Sequence, residues 1–186
     1  MELIDAIYNR RSVRDYTDEA VPKATLTTLL KAAVQAPSAM NTQPWAFAVI
    51  ADRARLKEYS DRAKAHLLKA LTPESPLYDH RESLADPARN IFYNAGTLVI
   101  ICAKAAGLEP AEDCSLAAQN LMLAAYASGL GSCPIGLSRP WLNLPESKSE
   151  LGIPAELTPV FPVIIGFAAG TTTKIERRNP EIVSWL

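Results

Sequence analysis

The arginines of this sequence include two groups that lie far apart along the chain. Arg10, Arg11 and Arg14 stand within five residues of one another, and Arg177 and Arg178 stand near the other end. A guanidinium donates several planar hydrogen bonds and is suited to bidentate recognition of phosphate or carboxylate. A solvated run of charge would explain the first group (residues 10–16, the arginine segment) equally well. The two groups could meet on one phosphate, although the sequence alone does not bring them together.

A second segment, residues 36–45 (the amide loop), has prolines, hydroxyls and amides beside a tryptophan, and it carries no charge. Turn formation alone would explain its proline and asparagine. The density of neutral donors and acceptors suits contact with the polar edge of a ligand.

A third segment, residues 129–136 with the sequence GLGSCPIG (the glycine segment), is rich in glycine. Its spacing differs from GxGxxG and a helix is predicted before it, which disfavours a Rossmann or P-loop phosphate site. For Gly129 and Gly131 we favour a helix C-cap. Glycine here would alternatively let the backbone approach a flat ligand closely.

No conventional catalytic set is recognisable, so we name no catalytic side chain. The sequence contains neither GxSxG nor HExxH, and His66 and His80 share no motif. A bound cofactor could supply the difficult chemistry instead. The odd number and wide spacing of the cysteines predict neither a disulfide framework nor a metal site. They are typical of reduced thiols in the cytoplasm.

Composition excludes several classes of protein. The chain has 186 residues, of which 48% are hydrophobic and 21% charged, as in an ordinary single-domain enzyme. The net charge of −1 argues against a general nucleic-acid binder. No apolar run is long enough to predict a membrane span, and the N-terminus lacks a secretory signal. We therefore expect a cytoplasmic protein that binds neither nucleic acid nor membrane.

Apolar periodicity predicts helices and strands in mixed order. Helical spacing occurs at residues 3–8, at 22–36 with Pro22 as first helical residue, and at 56–71 after an Asp52 cap. Apolar runs predict strands at Trp45–Ile50 and at residues 96–103 and 160–167. Residues 72–90 are predicted to be a loop that shapes a substrate pocket. Asp113 is expected to cap a helix over residues 114–128 that is apolar nearly all round.

This order predicts an α+β fold with three layers, in which helices cover one sheet. Residues 1–186 form a single domain, and the apolar end, residues 183–186, predicts a docked tail. The all-round apolar helix and this tail suggest a large apolar dimer interface. A central core helix would explain the helix equally well.

Taken in order, these segments resemble the nitroreductase family of FMN enzymes. The matching sequences are RRSVRDY, APSAMNTQPW, GLGSCPIG and ERRNP, with the strand PVIIGFAAG before the tail, and they extend from Arg10 to Pro180. The resemblance implies a nitroreductase-like FMN fold with a mostly antiparallel sheet. It also implies a homodimer with FMN at the subunit interface.

The resemblance assigns roles to particular residues. Those expected to hold the flavin phosphate, the ribityl chain and the N1/C2 carbonyl edge are Arg10, Arg11, Ser12 and Arg14. Those expected to approach from the other subunit are Pro37, Ser38, Ala39 and Asn41. Those expected to line the ring, with backbone N–H groups near N5 and O4, are Pro134, Ile135, Gly136 and Leu137. Phosphate binding would be completed by Arg178 with Arg177, and the ring could also be reached by Arg89 and Asn90.

The activity implied is ping-pong electron transfer from NAD(P)H through FMN to a small acceptor such as a nitroaromatic or a quinone. One alternative is a flavin-binding protein without significant turnover. Another is a nucleic-acid module that uses the arginine segment, which the near-zero net charge disfavours. The physiological acceptor and the choice between NADH and NADPH stay open.

Overall fold

The computed structural model describes residues 2–172 and 175–186, and within them the chain forms seven α-helices and four strands. The helices are α1 (Leu3–Asn9), α2 (Lys23–Ala33), α3 (Arg53–Ala70), α4 (Arg81–Ala85), α5 (Pro110–Ala127), α6 (Arg139–Leu142) and α7 (Pro145–Glu150). The strands are β1 (Trp45–Ile50), β2 (Thr97–Ala103), β3 (Gly131–Pro134) and β4 (Thr158–Gly166). Short 3-10 turns occur at Ala39–Asn41, Tyr78–His80 and Gly136–Ser138.

The strands pair in the order β1-β2-β4-β3, and every neighbouring pair is antiparallel. The central strand β2, with the sequence TLVIICA, is buried along its whole length because helices cover both of its faces. Strands β1 and β3 lie at opposite edges of the sheet. These edges are about 14 Å apart, as three steps of about 4.8 Å between neighbouring strands require.

Alternate residues of the sheet belong to two separate apolar cores. Ile100 and Ile164 pack with α3 and α6 on one face, and Ile101 and Ile165 pack with α2 and α5 on the other. The predicted α+β class, with three layers and a mostly antiparallel sheet flanked by helices, is therefore confirmed.

Several local predictions need correction. Helix α5 begins at Pro110, a residue whose missing N–H and fixed φ suit the first helical position, so Asp113 lies inside the helix and does not cap it. Pro22 precedes α2 as its N-cap. Residues 78–85, expected to be loop, form a 3-10 turn and α4. By contrast, the Asp52 cap is confirmed, since its side chain accepts the Arg55 N–H at 3.1 Å.

The glycine segment divides between two structures. Gly129 has a φ of 75° just beyond the end of α5, where a left-handed residue terminates the helix, so its predicted C-cap is confirmed. Gly131 instead begins β3, and its predicted capping role is wrong.

The two ends of the chain leave apolar side chains in contact with solvent. On α1 these are Leu3, Ile4, Ile7 and Tyr8, and in the tail Trp185 is 86% exposed. The docking of the tail stays a prediction. None of the helices in the described residues combines the length and apolar character needed to cross a membrane.

Candidate functional site

The arginine segment runs in extended form beside the ends of β3 and β4. Ser12 forms a parallel bridge with Ser132, and the Val13 N–H donates to the Ser132 carbonyl at 3.0 Å. Farther along, Tyr16 forms an antiparallel bridge with Ala168, and its buried hydroxyl donates to the Val13 carbonyl at 2.8 Å. The backbone of the segment is thus fixed to the sheet, while its arginines lie at the surface of the fold.

Gly131 makes this close approach possible. A Cβ atom at Gly131 would lie 2.7 to 2.9 Å from the side-chain atoms of Val13, which is closer than such atoms can pack. The glycine therefore permits backbone contact between β3 and the arginine segment. The residue that requires glycine here is Val13, which is distant in sequence. The sequence around Gly131 therefore favoured a helix cap instead.

A cavity of about 520 Å³ lies along this segment. That volume is in the range of small-molecule and cofactor sites. Its lining residues come from the arginine segment and from the chain after β4, and they are Arg11, Ser12, Val13, Arg14, Asp15, Gly170, Thr171, Thr172, Ile175 and Arg177. The two ends of the sequence therefore meet at one site.

The charges at this cavity suit an anion. Burial first, and then the neighbouring Arg177 guanidinium, lower the pKa of Arg10. Arg11 Nη1 donates hydrogen bonds to the carbonyls of Tyr8 (2.7 Å) and Arg10 (2.8 Å). Its Nε is buried and has no hydrogen-bond partner among the described residues. One phosphate group could neutralise the neighbouring Arg10 and Arg177 charges and accept a hydrogen bond from the buried Arg11 Nε.

Arg177, rather than Arg178, is the tail arginine on the cavity wall. Arg178 is exposed and lies outside the lining. The expected meeting of the two basic groups therefore takes place through Arg10, Arg11 and Arg177.

Arg14 also lines the cavity, and its guanidinium lies 5.9 Å from the centroid of the Tyr93 ring. Tyr93 and Asn94 both have positive φ values, of 51° and 57°. Such a backbone is uncommon for residues other than glycine and is found most often at functional sites. Asn90 is buried within this turn, where its amide donates to Asn94 Oδ1 at 2.9 Å. Arg89 is half-buried at the start of the turn.

The residues after β3 offer backbone donors. The Ile135 N–H is already used, because it donates to the Pro162 carbonyl at 2.9 Å. The next hydrogen bond runs from the Ser138 N–H to the Ile135 carbonyl. Gly136 and Leu137 are the first residues of that turn, a position at which backbone N–H groups lack partners within the turn. Pro134 and Gly136 are exposed, and Leu137 is half-buried.

The amide loop lies before β1, at the opposite edge of the sheet from the arginine segment. Met40, Asn41 and Gln43 have positive φ values of 52°, 54° and 46°. The Asp113 carboxylate, 5% exposed, accepts the Ala39 N–H at 3.2 Å. Ser38 Oγ accepts the Gln43 N–H at 3.0 Å, so the strained loop is held by polar contacts at both ends. Pro37 is exposed beside it.

Comparison with known proteins gives the family. The sequence profile described as "Nitroreductase family" matches residues 7–167. The chain belongs to the nitroreductase family. Its resemblance to these enzymes, inferred from the sequence, is therefore confirmed.

Individual relatives of this nitroreductase-family chain agree with that assignment. It is 31% identical over 176 residues to an Archaeoglobus fulgidus protein provisionally named NADH dehydrogenase/NAD(P)H nitroreductase, covering 89% of this chain and 85% of the relative. An FMN reductase [NAD(P)H] of Bacillus subtilis is 28% identical and is matched over 98% of this chain and 72% of its own. A Bacteroides fragilis nitroreductase solved with bound FMN superposes with a TM-score of 0.86 at 27% identity, covering 100% of this chain and 99% of that one.

Part of the cavity wall was not predicted from the sequence. Asp15, Ile175 and the run Gly170-Thr171-Thr172 line it beside the expected residues. The available signal was a glycine followed by hydroxyl side chains directly after the last strand. Such residues supply small neutral donors and a backbone that a ligand can approach closely.

Proposed function

We propose that this chain binds FMN in the cavity beside the arginine segment and passes electrons from NAD(P)H to a small acceptor. As a member of the nitroreductase family it is an NAD(P)H-dependent FMN oxidoreductase, the class expected from the sequence. The observation that carries the assignment of the site is the meeting of Arg11 and Arg177 on the wall of one cavity, with Arg10 near enough to Arg177 for the two charges to repel each other. When bound, FMN would supply the redox chemistry for a ping-pong transfer of electrons from NAD(P)H to the acceptor.

The phosphate would bind where the arginines meet. Arg11 Nε supplies a buried donor, and Arg177 supplies a second guanidinium from the tail. Ser12, Thr171 and Thr172 place hydroxyl groups along the same cavity, where they can hydrogen-bond to the ribityl chain. Whether Arg178 also reaches the phosphate stays a prediction.

Two further groups would adjust the reactivity of the ring. Arg14 would hold a fixed positive charge at the N1/C2 carbonyl edge and so favour the reduced cofactor. For a two-electron couple, a shift of about 30 mV corresponds to about 1.4 kcal/mol, so one well-placed charge is significant. The backbone N–H groups of Gly136 and Leu137 would donate near N5 and O4, with Pro134 and Ile135 beside them.

We also propose a homodimer in which each site uses both chains. Within one chain, the amide loop with Pro37, Ser38, Ala39 and Asn41 lies at the sheet edge opposite the arginine segment. A second copy could bring that loop to the cavity. The exposed apolar face of α1 and the exposed tail supply surface of the kind that obligate dimers bury.

The first test is the absorption spectrum of the purified protein after incubation with FMN, recorded before and after anaerobic addition of NADH or NADPH. A flavin band that is retained and then bleaches is the expected result. Retained flavin that does not bleach would favour the alternative, a flavin-binding protein without significant turnover. Failure to retain flavin would refute the site.

Steady-state oxidation of NADH and NADPH with nitroaromatic and quinone acceptors would then identify the preferred donor and acceptor. We expect a cytoplasmic location, since Cys102, Cys114 and Cys133 are all buried free thiols.

A further inference from the structure

Helix α3 holds the chain between α4 and β2 through one buried lysine. Lys64 is 5% exposed, although lysine is among the residues least often buried. Its Nζ donates to the carbonyl of Asp86 at 2.9 Å and to the carbonyl of Arg89, and lies 3.3 Å from the Asp61 carboxylate. One turn earlier, Ser60 Oγ accepts the Ile91 N–H at 2.9 Å. These contacts fix residues 86–91 to the helix at both ends.

The fixed residues lead directly into the left-handed turn at Tyr93 and Asn94. Asn90 Oδ1 accepts the Phe92 N–H at 2.9 Å, and the Asn90 amide donates to Asn94, so the turn begins at the last residues that α3 holds. At the end of this turn the Tyr93 ring lies against the Arg14 guanidinium, within the distance of a cation–π contact. A continuous set of contacts thus runs from Lys64 to Arg14.

Stability alone gives a poor reason for a lysine at this position. A buried ammonium must be fully paired to offset the loss of its hydration, and an apolar side chain of similar volume often serves as well or better. Three donors on one flexible chain can, however, satisfy two separate carbonyls and a carboxylate together. That arrangement defines the course of the backbone before Tyr93.

We propose that Lys64 is a positioning residue for the flavin site: it orders residues 86–91 so that Tyr93 holds the Arg14 guanidinium in place. The inference rests on the proposed contact of Arg14 with the N1/C2 edge of FMN. Lys64 itself acts only through the chain that it holds, and Tyr93 acts through Arg14.

The test compares the two-electron midpoint potential of bound FMN in matched variants. Lys64→Met and Tyr93→Ala should each change the ratio of affinities for oxidised and reduced FMN about tenfold, lowering the potential by about 30 mV. The double variant should shift no further, because both changes interrupt the same set of contacts. Tyr93→Phe keeps the ring and should retain the wild-type potential.

Lys57→Met is the matched control, since Lys57 pairs with the same Asp61 carboxylate from the same helix. It should leave the potential unchanged. Hydrogen exchange of the FMN-free protein provides a readout that needs no cofactor. Residues 86–95 should exchange faster in Lys64→Met and at the wild-type rate in Lys57→Met.

Faster exchange in Lys64→Met with an unchanged potential would overturn the proposal, and so would additive shifts in the double variant. An unchanged potential in Tyr93→Ala would overturn it even if Lys64→Met failed to fold. If Arg14→Ala itself left the potential of bound FMN unchanged, the failure would lie in the proposed flavin site, and the role of Lys64 would fall with it.

Discussion

Replacing Arg177 with glutamine should affect the FMN-free and FMN-bound protein in opposite directions. Burial and, after it, the Arg177 charge lower the pKa of Arg10, so the two guanidiniums repel each other when no anion lies between them. Removing one charge should raise the free energy of unfolding of the FMN-free protein slightly, by less than about 1 kcal/mol, because solvent screens an exposed side chain. The same change should weaken FMN binding, because it removes a phosphate ligand.

The expected loss of FMN affinity follows from the strength of one charged hydrogen bond. Such a bond contributes about 1.5–3 kcal/mol. At about 1.4 kcal/mol for each factor of ten, the dissociation constant of FMN should rise about 10–150-fold. Riboflavin, which lacks the phosphate, should bind the Arg177→Gln variant and the wild type with similar affinity.

Quenching of flavin fluorescence gives these dissociation constants, and thermal unfolding with and without FMN gives the two stabilities. Arg139→Gln makes the same charge change at an exposed residue of α6 outside the cavity lining. It should leave both affinities unchanged. An FMN dissociation constant for Arg177→Gln within twofold of wild type would refute the shared phosphate site.

Two further substitutions and a change of pH test other parts of the structure. Gly131→Ala should lower the free energy of unfolding by about 1–3 kcal/mol and weaken FMN binding, because the new methyl group displaces the arginine segment. Asp113→Ala should destabilise the protein by about 1.5–3 kcal/mol, because the Ala39 N–H loses a charged acceptor. Burial raises the pKa of Cys102 to about 11 from the ordinary 9, so the folded protein binds that proton more tightly than the unfolded chain. Its stabilising contribution is therefore complete below pH 9 and is lost as pH rises from about 9 to 11.

Each of these predictions has a control. Gly96→Ala, where a new Cβ would have no atom within 4 Å, should keep the wild-type melting temperature. Asp113→Asn retains an oxygen acceptor and should lose less stability than Asp113→Ala in urea titration. Melting temperatures recorded from pH 8 to 11 should fall less steeply in Cys102→Ala. Equal slopes for this variant and the wild type would contradict the assignment to Cys102.

The elements that the sequence predicted best have strong local signals. Trp45–Ile50 is a compact apolar run, and β2 is continuously apolar and rich in β-branched residues. The Asp52 cap follows from one side chain and the backbone N–H three residues later. Each of these elements is determined by residues within the element itself or directly beside it.

The elements that were missed depend on distant partners. Strand β3 has the sequence GSCP, which favours a strand only weakly, and it forms because β4 and the Val13 N–H supply its hydrogen bonds. Likewise, the N-terminal part of the cavity contains the expected arginines, but Gly170 and Thr171 reach it only because β4 ends beside the arginine segment. Local patterns cannot indicate such contacts, whereas the order of motifs shared with a family could.

The separation of the arginine segment and the amide loop across the sheet makes a quantitative prediction about the dimer. In a two-fold dimer each copy gives its arginine segment to one site and its amide loop to the other, so two equivalent FMN sites result. Arg177→Gln weakens the cavity that a chain builds beside its own arginine segment. Asp113→Ala weakens the amide loop that the chain gives to the other site, because the Ala39 N–H loses its acceptor.

A heterodimer of one Arg177→Gln chain and one Asp113→Ala chain should therefore contain one doubly damaged site and one native site. Coexpression with two different affinity tags would isolate it, and FMN titration should find one site of wild-type affinity per heterodimer. Neither homodimeric variant should contain such a site. If each FMN were bound by one chain alone, the amide loop at the opposite sheet edge would take no part in the site. The Asp113→Ala homodimer would then keep native FMN affinity, and that result would refute the two-chain site.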